Sequence, residues 1–82
     1  MYTVIVLKGQ THYAREQWQS VPDVTDYEGQ SYSLRAGPRQ PLPTDRVWDP
    51  VAVYAPDELT EEEFQELYEL NRRHIVELSL HY

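Results

Sequence analysis

Side chains that could carry catalysis or hold a metal ion are few in this chain of 82 residues. It contains no cysteine, and its three histidines, His12, His74 and His81, form neither an HExxH motif nor another ligand pair at helical spacing. A phosphate-binding glycine loop and a nucleophile elbow are also missing from the sequence. The sequence therefore predicts a protein that is not an enzyme and that binds no metal or cofactor.

The strongest pattern is a run of carboxylates. The stretch DELTEEEFQELYE (57–69) holds seven Asp and Glu residues and no Lys or Arg. On a helix this is about one charge per 3 Å, within a factor of two of the roughly 1.7 Å per charge of duplex DNA. The run is either a solvated helix face or a recognition surface for a basic partner. The second interpretation assigns protein binding to five of its residues: Glu58, Glu61, Glu62, Glu66 and Glu69.

Aromatic residues are a second candidate for binding. The chain has seven Tyr and two Trp, more than a core of this size needs, and these residue types often anchor interfaces. Four of them lie beside loops, a turn or the C-terminus and are predicted either to join a binding surface or to cover the edges of the core: Tyr27, Tyr32, Trp48 and Tyr82.

Proline dominates the segment 37–50, which holds four of the six prolines and is predicted to be extended. Within RAGPRQP, Arg35, Pro38 and Pro41 have the spacing of a basic residue followed by PxxP. This spacing is typical of ligands of SH3 domains, but short matches of this kind are frequent by chance.

The elements that position these residues can be predicted from apolar spacing. YTVIVLKG (2–9) is a continuous apolar strand covered on both faces, SYSLRA (31–36) a strand with one wet face, and VAVYA (51–55) a short buried strand. Residues 11–21 fit a helix, because Tyr13, Gln17 and Trp18 recur at helical spacing, but a second strand is the competing interpretation.

The clearest element is an amphipathic helix over 57–73. Thr60 and Glu63 have the spacing of a capping box, and one stripe carries Phe64, Leu67, Tyr68, Asn71 and Ile75. The segment VELSLHY (76–82) then alternates with a period of two and predicts a closing strand.

Together these elements predict a single α+β domain over 1–82, built as a small two-layer sandwich with about four strands. If 11–21 is a helix, the order of elements is ferredoxin-like, with a right-handed β-α-β unit from Val51 onwards. If 11–21 is a strand, the fold is an antiparallel sheet with one helix across it.

The net charge of −7 argues against direct binding to nucleic acid or to an anionic membrane. The N-terminal segment MYTVIVLKGQ lacks a basic leader, and its apolar run is too short for a signal peptide or a membrane span. With the missing cysteines, this favours a cytoplasmic protein, in the host cytoplasm if a virus encodes it.

The sequence therefore favours a non-enzymatic protein-binding module that covers a basic, nucleic-acid-binding surface of another protein. In size and charge it resembles, as a class, virus-encoded inhibitors of host defence such as anti-CRISPR proteins. One alternative is a structural or assembly subunit, or a homodimer that pairs through an edge strand at 76–82. The other is a small-ligand-binding or enzymatic module lined by Trp18, Trp48 and the histidines.

Overall fold

The computed structural model describes residues 1–9, 12–39, 49–75 and 78. In chain order they form β1 (Tyr2–Leu7), β2 (Tyr13–Trp18), β3 (Val24–Tyr27), β4 (Gln30–Arg39), β5 (Val51–Pro56) and helix α1 (Glu61–Arg72). The strands build one sheet in the order β2-β1-β5-β4-β3. β1 and β5 are parallel, and the other neighbouring pairs are antiparallel. The predicted α+β class is confirmed.

The interior strands β1 and β5 supply residues to both faces of the sheet. Ile5 and Leu7 join the core under α1, whereas Val4 and Val6 join a second core on the opposite face. β5 is buried along its whole length, and Tyr54 is its largest side chain in the second core. Because successive side chains of a strand point to opposite faces, a continuous apolar run fits a strand covered on both. The two predicted strands are confirmed.

Helix α1 confirms the predicted amphipathic helix with slightly narrower bounds. Its N-cap is Thr60, and residues 57–60 belong to the connection from β5. Phe64, Leu67 and Asn71 are buried against the sheet. Ile75 and Leu78, which follow the helix, complete the same core. The 3.6-residue period of the sequence therefore gave the correct buried face.

The helix predicted over 11–21 is wrong for the residues described, because Tyr13–Trp18 is strand β2. All six of its residues pair with β1, and Ala14 and Trp18 pack against the second core. The spacing of apolar residues in this segment fits a helix and a strand alike. Hydrogen bonding to the edge of β1 therefore decides in favour of the strand. The ferredoxin-like order is therefore excluded. β3 was not predicted, so the sheet has five described strands instead of about four.

The sheet curls so that its two edge strands approach each other on the face away from α1. Tyr27 of β3 donates its hydroxyl hydrogen bond to the carboxylate of Glu16 of β2. Beside them, Nζ of Lys8 lies 2.8 Å from Oε1 of Glu28. β4 shifts register twice against β5, and irregularities of this kind increase the twist of a strand. The second face is thus covered by the sheet's own edges, and a plain two-layer sandwich is not confirmed.

The predicted closing strand over 76–82 lies largely outside the described residues. Leu78 is described and buried, and its backbone N–H donates to the carbonyl of Ile75 at 3.0 Å. The second strand of the predicted β-α-β unit, which is also the edge strand proposed for self-pairing, therefore falls largely outside the described residues too. Gln40 to Trp48 of the proline-rich segment also lie outside the described residues.

Candidate functional site

The N-terminus of α1 is fixed by the predicted capping box. Oγ1 of Thr60 accepts from the backbone N–H of Glu63 at 3.2 Å, and the Glu63 carboxylate accepts from the backbone N–H of Thr60 at 2.9 Å. Two hydrogen bonds with Thr60 lower the pKa of Glu63. The bond from the Thr60 backbone has the larger effect, and the bond with its side chain has the smaller. The Glu63 carboxylate is therefore part of the N-terminal cap of the helix.

Arg35 of β4 holds the connection that leads into the helix. Its Nη2 donates to the carbonyl of Pro56 at 2.9 Å, to that of Leu59 at 2.8 Å and to that of Asp57 at 3.3 Å. Its Nε donates to Oγ of Ser33 at 2.9 Å, and its guanidinium lies 5.8 Å from the ring centre of Phe64. Arg35 is therefore engaged within the fold and is not free to act as the basic residue of a PxxP ligand.

The carboxylates predicted to bind a partner lie together along the solvent side of α1 and its entry. We call them the acidic face, and all five are exposed: Glu58, Glu61, Glu62, Glu66 and Glu69. Local contacts within this segment are weak, since Arg72 approaches Glu69 at 3.6 Å and Gln65 donates to Glu61 at 3.1 Å. Exposed contacts of this kind contribute little to stability, so the carboxylates stay available to a partner.

An apolar side chain borders the acidic face. Leu70 is 50% exposed, although it lies on the same helix as the buried Leu67. It follows Glu66 by four positions, so the two side chains are neighbours on one side of the helix. Leu70 was not predicted as a site residue, yet the sequence carried a signal, because it falls outside the apolar stripe from Phe64 to Ile75.

Leu70 contributes to a groove of about 290 Å³ between α1 and the ends of β1 and β5. We call this the end groove. Its apolar lining includes Pro56, Leu59 and Leu70, and carboxylates from the β5–α1 connection and from α1 lie on its rim. A broader depression of about 850 Å³ on the other side of Leu70 is lined, among the described residues, by Gln65, Glu66, Glu69, Leu70, Arg73 and His74.

Two of the four predicted aromatic residues are described, and the structure places neither at the acidic face. Tyr32 is 4% exposed and belongs to the core on the far face of the sheet. Tyr27 is half-buried and packs edge-to-face on Tyr32, with ring centres 6.0 Å apart. Trp48 and Tyr82 lie outside the described residues. Tyr32 is therefore part of the second core, and Tyr27 covers it.

Tyr27 and Glu16 change each other's acidity through their hydrogen bond. Two hydrogen bonds lower the pKa of Glu16. The bond from the Tyr27 hydroxyl has the larger effect, and the bond from the Trp18 indole has the smaller. The same bond to Glu16 raises the pKa of Tyr27 to about 12. At neutral pH, Tyr27 keeps its proton and Glu16 stays ionised, so neither group is suited to exchange protons with a substrate. The arrangement joins two strands.

Two further features are absent from the part of the chain that the structure describes. No group of three His, Asp or Glu side chains there could hold a metal ion. No helix among the described residues is long and apolar enough to cross a membrane.

Comparison of the chain with protein-family models, with curated proteins and with solved structures gave no match.

Proposed function

We propose that this protein is a non-enzymatic binding module whose acidic face occupies a basic, nucleic-acid-binding surface of another protein. In this proposal it inhibits that partner by excluding its nucleic acid, as a virus-encoded inhibitor of host defence would. The single observation that supports the proposal is the exposure of five carboxylates along one helix and its entry.

The charge distribution gives the physical reason. The helix has Glu61, Glu62 and Glu63 in its first turn and Arg72 in its last turn. Because Glu66 and Glu69 lie between them, negative charge extends over most of the helix. A concentrated field of one sign raises the rate of association with a surface of opposite sign and disfavours surfaces of like sign. Such a surface selects a cationic protein and repels nucleic acid itself.

The test compares the native protein with the variant Glu62→Gln/Glu66→Gln/Glu69→Gln. Each protein is immobilised and exposed to host lysate, and the captured proteins are identified by mass spectrometry. We expect the native form to retain a nucleic-acid-binding protein and the variant to lose it. The captured partner should also release a labelled oligonucleotide when the native protein is added, and binding should weaken steeply as salt rises from about 0.05 M to about 0.3 M.

The matched control neutralises three exposed carboxylates away from α1, in the variant Asp23→Asn/Asp26→Asn/Asp49→Asn. Its net charge equals that of the helix variant, so a difference between the two reports on position instead of total charge. Capture of the same partner by the native protein and by the helix variant would contradict the proposal. So would a captured partner that still binds its oligonucleotide.

A further inference from the structure

The end groove combines two properties that a uniformly charged surface does not have. Leu70 leaves half of its surface in water, and Leu59 and Pro56 lie in the same groove. Exposed apolar area of this kind, rimmed by polar groups, often marks a contact with another molecule. The groove volume of about 290 Å³ is at the lower end of the range for ligand pockets, which begins at roughly 300 Å³, so it can take a side chain or two.

The charge around the groove is negative. Glu58, Glu63 and Glu66 are among the residues that line it. Its basic lining residue, Lys8, is engaged elsewhere, because its Nζ lies 2.8 Å from Oε1 of Glu28 and 5.1 Å from the ring centre of Tyr27. A segment that enters the groove therefore meets both apolar side chains and carboxylates, the latter from α1 and from the connection before it.

We propose that the end groove binds a short segment of the partner protein in which an apolar side chain is flanked by Arg or Lys. The apolar side chain packs against Leu70 and Leu59, and the basic side chains pair with Glu58 and Glu66. This inference rests on the proposed function and makes it more specific. The acidic face attracts the partner, and the groove selects the segment that binds.

The test uses two synthetic peptides, GRRLRRG and GRRSRRG, which carry the same charge and differ only in the central side chain. Each is labelled with fluorescein, and its binding to the intact protein is followed by fluorescence anisotropy. We expect the leucine peptide to bind about tenfold more tightly than the serine peptide, because it alone buries an apolar side chain.

The variant Leu70→Ser removes the apolar side chain without changing the charge of the protein. Because Leu70 is half exposed, we expect the fold to tolerate this change, and circular dichroism would verify that. Affinity for GRRLRRG should fall about fivefold, and affinity for GRRSRRG should stay within about twofold of the native value. A loss for both peptides, or for neither, would overturn the proposal.

A pair of variants with equal charge tests the rim. Glu58→Gln/Glu66→Gln alters two groove residues, whereas Glu61→Gln/Glu62→Gln alters two carboxylates of the acidic face that do not line the groove. We expect the first variant to weaken binding of both peptides about tenfold and the second about twofold. Equal effects would overturn the assignment of these carboxylates to the groove.

Failure of this inference is distinguishable from failure of the proposed function. If native protein binds the two peptides equally while the triple Gln variant of α1 still loses the captured partner, the groove proposal fails and the inhibitor proposal stands. If native protein binds neither peptide, the groove proposal also fails. If the triple Gln variant keeps the partner, the proposed function fails as well.

Discussion

The guanidinium of Arg35 links its own strand β4 to the end of β5 and to the entry of α1. We predict that Arg35→Ala lowers the free energy of unfolding by about 2 kcal/mol, because three carbonyls lose a charged donor. Arg35→Lys should lower it by about half as much, since an ammonium group lacks the planar fork of donors. Urea denaturation followed by circular dichroism measures both.

The control for Arg35 is Arg73→Ala, which removes an exposed arginine just after α1. Its effect should stay within about 0.5 kcal/mol, as for most surface substitutions. If Arg35→Ala has an effect as small as that of Arg73→Ala, the hydrogen bonds of Arg35 do not stabilise the entry to the helix.

The hairpin that joins β3 to β4 carries a backbone cost in its two-residue turn. Glu28 has φ of 52° and Gly29 has φ of 81°, the left-handed values typical of tight hairpin turns. Asparagine tolerates this region better than glutamate does. We predict that Glu28→Asn raises the free energy of unfolding by about 0.5 kcal/mol, even though it removes the exposed ion pair with Lys8. Chemical denaturation at neutral pH checks this.

The variant Glu28→Gln is the control for the turn. It also removes the charge, but it keeps a long side chain in the left-handed conformation, so it should be about 1 kcal/mol less stable than Glu28→Asn. Equal stability of the two variants would show that the backbone conformation at Glu28 costs nothing measurable.

The elements of this fold differ in how far the sequence predicts them. β1, β5 and α1 were predicted because their apolar spacing and the capping box agree with the tertiary structure. The strand predicted over 31–36 is also confirmed, since it lies within β4. β2 was ambiguous because Tyr13, Gln17 and Trp18 fit a helix, while Ala14 and Trp18 also alternate as a strand does. β3 has four residues with exposed Val24 and Asp26, too short and too polar for a reliable pattern.

The candidate site was predictable only where one element supplies it. The acidic face follows from the period of α1, since the residues opposite Phe64 and Leu67 must face water. The end groove could not be predicted, because it needs the entry to α1 beside the ends of β1 and β5, and sequence spacing does not give that proximity. Tyr32 is buried for a similar reason, since the curl of the sheet covers its face.

For the whole molecule, the contact between Tyr27 and Glu16 links the two edges of the curled sheet. We predict that Tyr27→Phe lowers the free energy of unfolding at neutral pH by about 0.5 to about 1 kcal/mol, because one charge-assisted hydrogen bond is lost in a partly exposed setting. Tyr68→Phe removes a hydroxyl on the helix side of the sheet and serves as the matched control.

The same contact predicts how stability depends on pH. Folding lowers the pKa of Glu16, so Glu16 contributes to the free energy of unfolding above its ordinary pKa of 4.5. This contribution is lost as pH falls through the lower pKa of the folded state. The pKa of Tyr27 is raised from 10.0 to about 12, so its contribution is present below pH 10.0 and is lost as pH rises towards 12. Native protein and Tyr27→Phe should therefore differ most between about pH 5 and about pH 9.

Thermal unfolding from about pH 3 to about pH 12 tests the prediction. Absorbance at the tyrosinate band gives an independent reading of Tyr27. The difference between native protein and Tyr27→Phe should shrink at both acidic and alkaline ends. A difference that stays constant with pH would show that the hydroxyl acts only through packing.

The parallel pairing of β1 with β5 also determines when a growing polypeptide can fold. Thr3 pairs with Val51, so more than half of the chain lies between two residues that must meet. Both cores take side chains from both strands, and neither can assemble before β5 has left the ribosome. Until then the apolar run from Val4 to Leu7 has no partner strand from β5 and is prone to associate with other nascent chains or with chaperones. Folding is therefore expected as one event that waits until β5 has been synthesised.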